Sequence, residues 1–296
     1  MNTGLLGKFS RSARKRALAC AHAVSAAFSS QCGLNAEPRP AELIVSMTTI
    51  PERIGKVHLG IDCLLRQSLR PDRVILWLNE CDQPGRPVVR GNSLPQSLIK
   101  LIPRGLTVAW CKNIGPYCKL IPTLKAHPLA LIVTADDDVY YPRHWLGSLY
   151  DAYRRQPQYI HCHHAHLMRF DDAGRLLPYR QWVHHAPGFL EPSPYLLPMG
   201  VGGVLYAPGH LHPDVTDEEL FLKLCPKADD IWFKAMSILN GIQCRKVAKD
   251  SPWLHNIRFR NARNLGSYNV CGDGNDLQLR AVAQHYPAFR DFLARC

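Results

Sequence analysis

Short apolar runs alternate with amphipathic stretches over the first half of the chain, and this alternation most constrains its fold. The runs rich in β-branched and aliphatic residues predict four strands, over Leu43 to Met47, Asp72 to Asn79, Leu106 to Trp110 and Leu131 to Val133. Apolar residues at helical spacing predict a helix over Lys56 to Gln67. Strands that alternate with helices are typical of an α/β fold with an open, mostly parallel sheet.

Polar and charged residues follow two of these strands where each strand ends. Thr48, Thr49 and Arg53 follow the first strand, and Asp136, Asp137 and Asp138 follow the fourth. Ligands of such sheets bind outside the carboxyl ends of the strands, so both groups are expected on one edge of the sheet. The hydroxyls and the basic side chain would then bind a nucleotide beside the carboxylates, although Thr48 and Thr49 also suit an ordinary turn.

The acidic triplet predicts a cation nearby. Three neighbouring carboxylates repel one another and resist burial, and Mg²⁺ or Mn²⁺ prefers their hard oxygen ligands. The alternative is an acidic turn before the helix expected near Pro142, because Asp is favoured at helix starts. Lys119 lies on a predicted short helix before the acidic strand and is expected to bind the donor together with Thr48, Thr49 and Arg53.

A second acidic pair opens a predicted helix that runs to Asn240. Asp229 and Asp230 would interact favourably with the helix dipole there, which needs no chemistry, or one of them would serve as a general base. Upstream, Gly200, Gly202 and Gly203 precede an apolar strand. This cluster predicts either a close approach of another molecule to the backbone or a flexible turn.

Histidines form the remaining candidates. The segment YIHCHHAHL, over 159–167, is expected to be one strand with His161 and His163 on one side and Cys162, His164 and His166 on the other. A zinc site is conceivable there, but the spacing matches no closed zinc motif. His255 is either a structural histidine or a neutral imidazole that completes a metal site.

Charge and cysteine content bear on partners and compartment. The formal net charge is +12, and residues 1–40 carry six basic residues against one acid, so the remainder is only mildly basic. Eleven cysteines, without a CxxC pair, indicate reduced thiols and a cytoplasmic protein. The moderately apolar segment from Ala17 to Phe28 is too short to span a bilayer. It would lie as an amphipathic helix on the inner face of the membrane, as a peripheral contact, or be disordered.

These features divide the chain into three parts. Residues 1–40 form a basic tail, residues 41–250 a catalytic domain, and residues 251–296 a basic and helical extension packed on that domain.

The order of the motifs resembles glycosyltransferases of the GT-A fold, in particular bacterial family-2-like enzymes. The resemblance rests on four motifs between Leu43 and Val247: the TTIPER turn, the DDD triplet, the GVGGVLY segment and the DDIW helix start. It implies a GT-A type Rossmann-like open sheet with helices on both faces, a nucleotide-sugar donor, and a saccharide or lipid-linked acceptor. The acid pair reads Asp-Asp where the family commonly has Glu-Asp.

The resemblance also implies roles for individual residues. Asp138 and Asp136 would bind Mn²⁺ or Mg²⁺, with Asp138 as the direct ligand, while Asp136 and Asp137 face the donor and Asp137 matters least. His255 stays a metal-ligand candidate on its own chemistry, independently of the resemblance. Asp230 would be the catalytic base, with Asp229 beside it. Gly202, Gly203 and Trp232 would lie on the acceptor side.

The expected function is therefore a metal-dependent, inverting glycosyltransferase that acts in surface polysaccharide or glycolipid synthesis. A nucleotidyltransferase with a similar sheet and acidic site is one alternative. The other is a non-catalytic basic module that binds nucleic acid or anionic lipid, although the sequence lacks the basic and aromatic signature of a known nucleic-acid fold.

Overall fold

The computed structural model describes residues 31–83, 86–87, 94–250, 254–259 and 266–294. Most of the predicted basic tail, residues 1–30, lies outside the described residues.

The described strands are β1 (Leu43–Thr48), β2 (Arg73–Asn79), β3 (Cys81–Gln83), β4 (Arg86–Pro87), β5 (Leu106–Cys111), β6 (Leu131–Ala135), β7 (Val139–Tyr140), β8 (Ile160–Cys162), β9 (Ala165–Leu167), β10 (Leu196–Pro198), β11 (Val204–Tyr206), β12 (Cys244–Lys246) and β13 (His255–Asn256). The described α-helices are α1 (His58–Leu64), α2 (Gln96–Ile99), α3 (Ile121–Ala126), α4 (Trp145–Arg155), α5 (Glu218–Leu224), α6 (Asp229–Leu239), α7 (Gly274–His285) and α8 (Pro287–Leu293). The four predicted strands thus correspond to β1, β2, β5 and β6.

Seven strands form the main sheet in the order β12-β8-β11-β6-β1-β2-β5. β1 pairs in parallel with β2 and β6, and β2 pairs in parallel with β5. β11 runs antiparallel to both β6 and β8, while β12 is parallel to β8. Only β11 is therefore reversed in this sheet, and the predicted class, an α/β open sheet that is mostly parallel, is confirmed.

Helices cover both faces of the sheet. Because the side chains of successive strand residues point to opposite faces, one strand contributes to two core clusters. On one face Leu43 and Val45 of β1 pack in a core cluster with residues of α1 and α4. On the other face Ile44 belongs to a second cluster that includes residues of α3, α6, α7 and α8. Strands buried on both sides need continuous apolar sequence, which explains the apolar runs in the primary structure.

The C-terminal segments contact the domain at several places, including β7 and α6. β13 pairs with β7, and the amide of Ile257 donates to the carbonyl of Asp138 at 2.6 Å. α7 and α8 pack on α6, where Val282 and Phe289 are fully buried. Within the described residues, no helix combines the length and apolar character needed to cross a membrane.

The expectation of a single strand over 159–167 is wrong. β8 ends at Cys162 and joins the main sheet, whereas β9 begins at Ala165 and pairs with β10 in a separate two-stranded sheet. His161 and His163 are buried, and their Nε2 atoms bond to the carbonyls of Gln156 and Trp145 at 2.8 and 2.9 Å. Burial lowers the pKa of both imidazoles to about 4, so both are neutral packing groups near pH 7.

Gly203, which precedes β11, packs against the ring of Trp145 and provides a test of this contact. Its φ of +92° suits glycine, and an ideal Cβ would lie 2.3 Å from the Trp145 ring. Because left-handed backbone and overpacking each destabilise a fold, we expect Gly203→Ala to lower the free energy of unfolding by about 3 kcal/mol. Urea denaturation measures this.

The matched control is Gly147→Ala in α4, where the nearest atom to an ideal Cβ is Leu69 Cβ at 3.5 Å. Alanine favours the helix there, so this variant should be neutral or stabilised by up to about 1 kcal/mol. Equal stabilities for the two variants would contradict the packing role assigned to Gly203.

Candidate active site

A cleft of about 630 Å³ lies at the carboxyl ends of the parallel strands. One side of it is formed by residues that follow β1, β2, β5 and β6, and the other by residues around β10, the start of α6 and the segment from Gly266 to Asn275. Of the residues named from the sequence, the lining includes Thr48, Thr49, Arg53, Lys119, Asp136, Asp137, Asp138, Asp229 and Asp230. The structure thus brings most of the predicted site residues together.

Arg53 and Thr49 contact the acidic triplet from the turn after β1. The Nη1 of Arg53 lies 2.7 Å from Asp137 Oδ1 and 3.2 Å from Asp138 Oδ2. The hydroxyl of Thr49 donates to Asp137 Oδ2 at 2.5 Å. Asp137 is only 6% exposed, so it joins the β1 turn to the β6 turn and is the most strongly held acid of the three.

The other two acids of the triplet face the cleft more openly. The side chains of Asp136 and Asp138 are 28% and 29% exposed. Burial and the neighbouring Asp136 carboxylate raise the pKa of Asp138 to about 6, which still leaves Asp138 ionised at neutral pH. Thr48 lines the same wall, but its hydroxyl donates to the carbonyl of Trp77 at 3.0 Å on the adjacent strand.

Lys119 connects the triplet to the acid pair on the opposite wall. Its Nζ lies 3.0 Å from Asp136 Oδ1 and 3.1 Å from Asp229 Oδ2. Burial alone would lower the pKa of Lys119, but Asp136, Asp229 and Asp230 outweigh that effect and raise it well above its ordinary value. Lys119 is therefore a buried, permanently charged ammonium.

The acid pair does not cap its own helix. Ala228 is the N-cap residue of α6 and makes no side-chain capping bond. Asp229 instead pairs with Lys119, and Asp230 Oδ1 accepts a hydrogen bond at 3.1 Å from the amide of Gly200. Burial and the neighbouring Asp229 raise the pKa of Asp230 to about 8. A carboxyl group with such a pKa exchanges a proton near physiological pH.

Four residues predicted for the site lie outside this lining. Trp232 is fully buried, and its indole donates to the carbonyl of Val215 at 3.2 Å. Gly202 and Gly203 allow close packing of His164 and Trp145, and Trp145 Nε1 donates to the carbonyl of Gly202 at 2.6 Å. The structure thus shows packing contacts for these three residues, and their place on the acceptor side stays a prediction. His255 pairs with Tyr140 through β13.

Several lining residues were not predicted. Asn79 and Asn113 follow β2 and β5, so the rule that ligands bind beyond strand ends would have identified them. Tyr179, Met199 and Lys227 come from irregular segments or helix starts, and no local signal marks them. The amides Asn269 and Asn275 also line the cleft.

The side chains present suit a divalent cation that is bound together with substrate. Six carboxylates and three basic side chains line the described part of the cleft, which leaves a surplus of negative charge. Among the described residues, no group of three or more His, Cys, Asp and Glu side chains is arranged to hold a metal ion. Mg²⁺ and Mn²⁺ bind with one or two carboxylates when phosphate oxygens and water complete the shell. Asp136 and Asp138 would provide these two carboxylates.

Comparisons with known proteins were made by sequence and by structure. No family model and no curated protein sequence matches the chain. Among solved structures, TarS 1–349 from S. aureus matches with a TM-score of 0.43 and 16% identity, over 75% of this chain and 59% of that chain. A CMP:2-keto-3-deoxy-manno-octonic acid synthetase complexed with CTP matches with a TM-score of 0.39 and 11% identity, over 70% of this chain and 88% of that one. This chain therefore spans 59% of the length of the TarS structure.

Proposed function

We propose that the protein is a glycosyltransferase that moves a sugar from a nucleotide-sugar donor to an acceptor hydroxyl, with a divalent cation as cofactor. The observation that carries the proposal is that two sets of aspartates lie on opposite walls of one cleft. Asp136 and Asp138 follow β6, and Asp229 and Asp230 open α6. Sugar transfer from a nucleoside diphosphate needs carboxylates at two positions. One set would hold the cation that stabilises the departing diphosphate, and the other would accept the proton of the attacking hydroxyl.

The donor would lie along the wall formed by the strand ends. Thr49, Arg53 and the triplet are at that wall, and the positive charge of Arg53 suits a diphosphate. A bound Mg²⁺ or Mn²⁺ would offset the charge that develops on the departing diphosphate. Asp136 and Asp138 are the residues that would hold it.

The acceptor would enter from the wall that carries Asp230. The carboxylate of Asp230 takes the proton of the acceptor hydroxyl as its oxygen forms a bond to the anomeric carbon. The bond from that carbon to the diphosphate oxygen breaks, and the diphosphate leaves with the electron pair. A single displacement of this kind inverts the configuration at the anomeric carbon. We further propose that the acceptor is a saccharide or is lipid-linked. We also propose a cytoplasmic site of action, which is supported by seven free thiols, among them Cys63, Cys162 and Cys244.

A thermal-shift screen against a panel of nucleoside diphosphate sugars, with and without Mn²⁺, tests this function. One or more of them should raise the melting temperature in the presence of Mn²⁺, because a ligand that binds only the folded state stabilises it. Incubation with that donor should release a nucleoside diphosphate as the sugar is transferred to an acceptor hydroxyl or, more slowly, to water. Release of pyrophosphate from a nucleoside triphosphate would instead identify a nucleotidyltransferase. Salt-sensitive binding to nucleic acid, without any nucleotide-sugar affinity, would identify a binding module.

The raised pKa of Asp230 predicts the pH dependence of transfer. The carboxylate is the reactive form, and it becomes abundant only as the pH rises through about 8. We therefore expect kcat/KM to increase by about tenfold for each pH unit below that value and to level off above it. Initial rates between about pH 6 and pH 10 measure this. A profile that is flat or falling over the same range would exclude Asp230 as the base.

A further inference from the structure

The ammonium of Lys119 lies between the acidic triplet on one wall of the cleft and the acid pair on the other wall. Lys119 ends a short 3-10 helix, Gly115–Lys119, that follows β5, and the residue is 8% exposed. Its distances to Asp136 Oδ1 and Asp229 Oδ2 are nearly equal, 3.0 and 3.1 Å. One buried cation thus bridges a residue of the β6 turn and a residue of the α6 start, although the two are far apart in sequence.

Gly200 lies directly against Lys119 and Asp230. An ideal Cβ on Gly200 would lie 2.6 Å from Lys119 Nζ and 3.1 Å from Asp230 Oδ1. The backbone φ of Gly200 lies outside the left-handed region, so backbone conformation does not demand glycine here. The requirement is one of space, because any side chain would displace the ammonium or the carboxylate.

The two acids at the start of α6 therefore have different surroundings. Asp229 is 7% exposed and pairs with Lys119. Asp230 is partly exposed and accepts a hydrogen bond from Gly200. Two adjacent carboxylates repel each other, and a buried cation against one of them offsets that repulsion.

We infer that Lys119 is a positioning residue that, with Gly200, holds Asp136 and Asp229 in place so that Asp230 alone acts as the base. This inference rests on the proposed function. Asp229 serves as the counter-ion of Lys119. The bridge also sets the separation between the triplet and the base, and transfer is sensitive to that separation because misplacement of about 1 Å can cost about a hundredfold in rate.

A different role for Lys119 would be direct binding of the donor diphosphate. In that case its loss would raise the donor KM and the dissociation constant of the nucleoside diphosphate. A positioning residue instead affects kcat and leaves donor affinity nearly unchanged. The two roles therefore differ in a measurable way.

The test compares Lys119→Met, Asp229→Asn and the double variant. We expect each single variant to lower kcat by about a hundredfold and to change the donor KM by less than about threefold. The double variant should be no slower than either single variant, because both substitutions break the same bridge. Additive losses, or a donor KM that rises with kcat unchanged, would overturn the inference.

Gly200→Ala gives an independent variant that removes no charged group. Its Cβ would push against Lys119 and Asp230, so kcat should fall by about a hundredfold while circular dichroism shows a folded protein. Gly147→Ala in α4 is the matched control and should keep the wild-type kcat. Wild-type kcat in Gly200→Ala would overturn the inference.

A substrate-free measurement separates failure of the inference from failure of the proposed function. Urea denaturation of the same double-mutant cycle should show coupling between Lys119 and Asp229, with the double variant less destabilised than the sum of the singles. Zero coupling would overturn the bridge even if the wild-type protein transfers sugar. Clear coupling in a protein that turns over no nucleotide sugar would confirm the ion pair and reject its catalytic role together with the proposed function.

Discussion

An Asp230→Asn variant is expected to transfer sugar about a thousandfold more slowly than the wild-type protein. Asparagine keeps an oxygen for the Gly200 amide, so the geometry at the start of α6 should persist. It cannot accept the proton of the acceptor hydroxyl, and the variant therefore loses the step assigned to the base. Initial rates with saturating donor measure this loss.

The same substitution should have the opposite effect on stability in alkaline solution. The pKa of Asp230 is raised from 3.8 to about 8 in the folded protein, so the folded state binds more protons than the unfolded state between those values. Stability therefore decreases as the pH rises through that range, and Asp230→Asn removes the decrease. Above about pH 8 the variant should melt at a higher temperature than the wild-type protein.

An exposed acid provides the control for these measurements. Asp172 lies on the surface outside the cleft, and Asp172→Asn should match the wild-type protein in transfer rate. If Asp230→Asn retained near-full transfer rates, the assignment of the base would be wrong. If it melted at a lower temperature than the wild-type protein at high pH, the burial argument for its pKa would fail.

An Asp138→Asn variant should lose the metal-dependent part of donor binding. Asp138 offers a partly exposed carboxylate at the end of β6, and an amide oxygen is a weaker ligand for a hard cation. Loss of a group that merely orients a metal ligand costs 10- to 100-fold in affinity, so loss of a ligand should cost at least about tenfold. Isothermal titration with the donor, with and without Mn²⁺, measures the change.

The two titrations have distinct expected outcomes. With Mn²⁺ the dissociation constant should rise by about tenfold or more, and without Mn²⁺ the variant and the wild-type protein should agree. Asp172→Asn again serves as the control. Equal Mn²⁺ dependence in the wild-type protein and Asp138→Asn would remove Asp138 from the metal site.

Local sequence predicted the sheet and one wall of the cleft well. Strands buried on both faces must be apolar, so β1, β2, β5 and β6 are visible as apolar runs, and the groups that follow them converge because parallel strands end at one edge. The cation demanded by the acidic triplet was also visible in part. In the structure Arg53 pairs with Asp137 and Lys119 pairs with Asp136.

The opposite wall was less predictable because its contacts are tertiary. Gly200, Gly202 and Gly203 are indistinguishable as a sequence cluster, yet only Gly200 faces Lys119 and Asp230, while the other two pack against His164 and Trp145. The prediction for the histidine-rich segment was wrong for a related reason. Alternation along 159–167 predicts one strand, but the chain changes sheets between Cys162 and Ala165.

The reversed strand β11 has a consequence for how such a protein can acquire new specificity. Because β11 is antiparallel to β6, Val204 at its start lies beside Thr134 near the end of β6. The segment that leads into β11 therefore reaches the same edge as the segments that leave the parallel strands. Insertions before β10, or in the segments that lead to α7, would reshape one wall without shifting the register of the β1, β2 and β6 pairings. Under the proposed function, the wall assigned to the donor would then stay constant while the wall assigned to the acceptor varies.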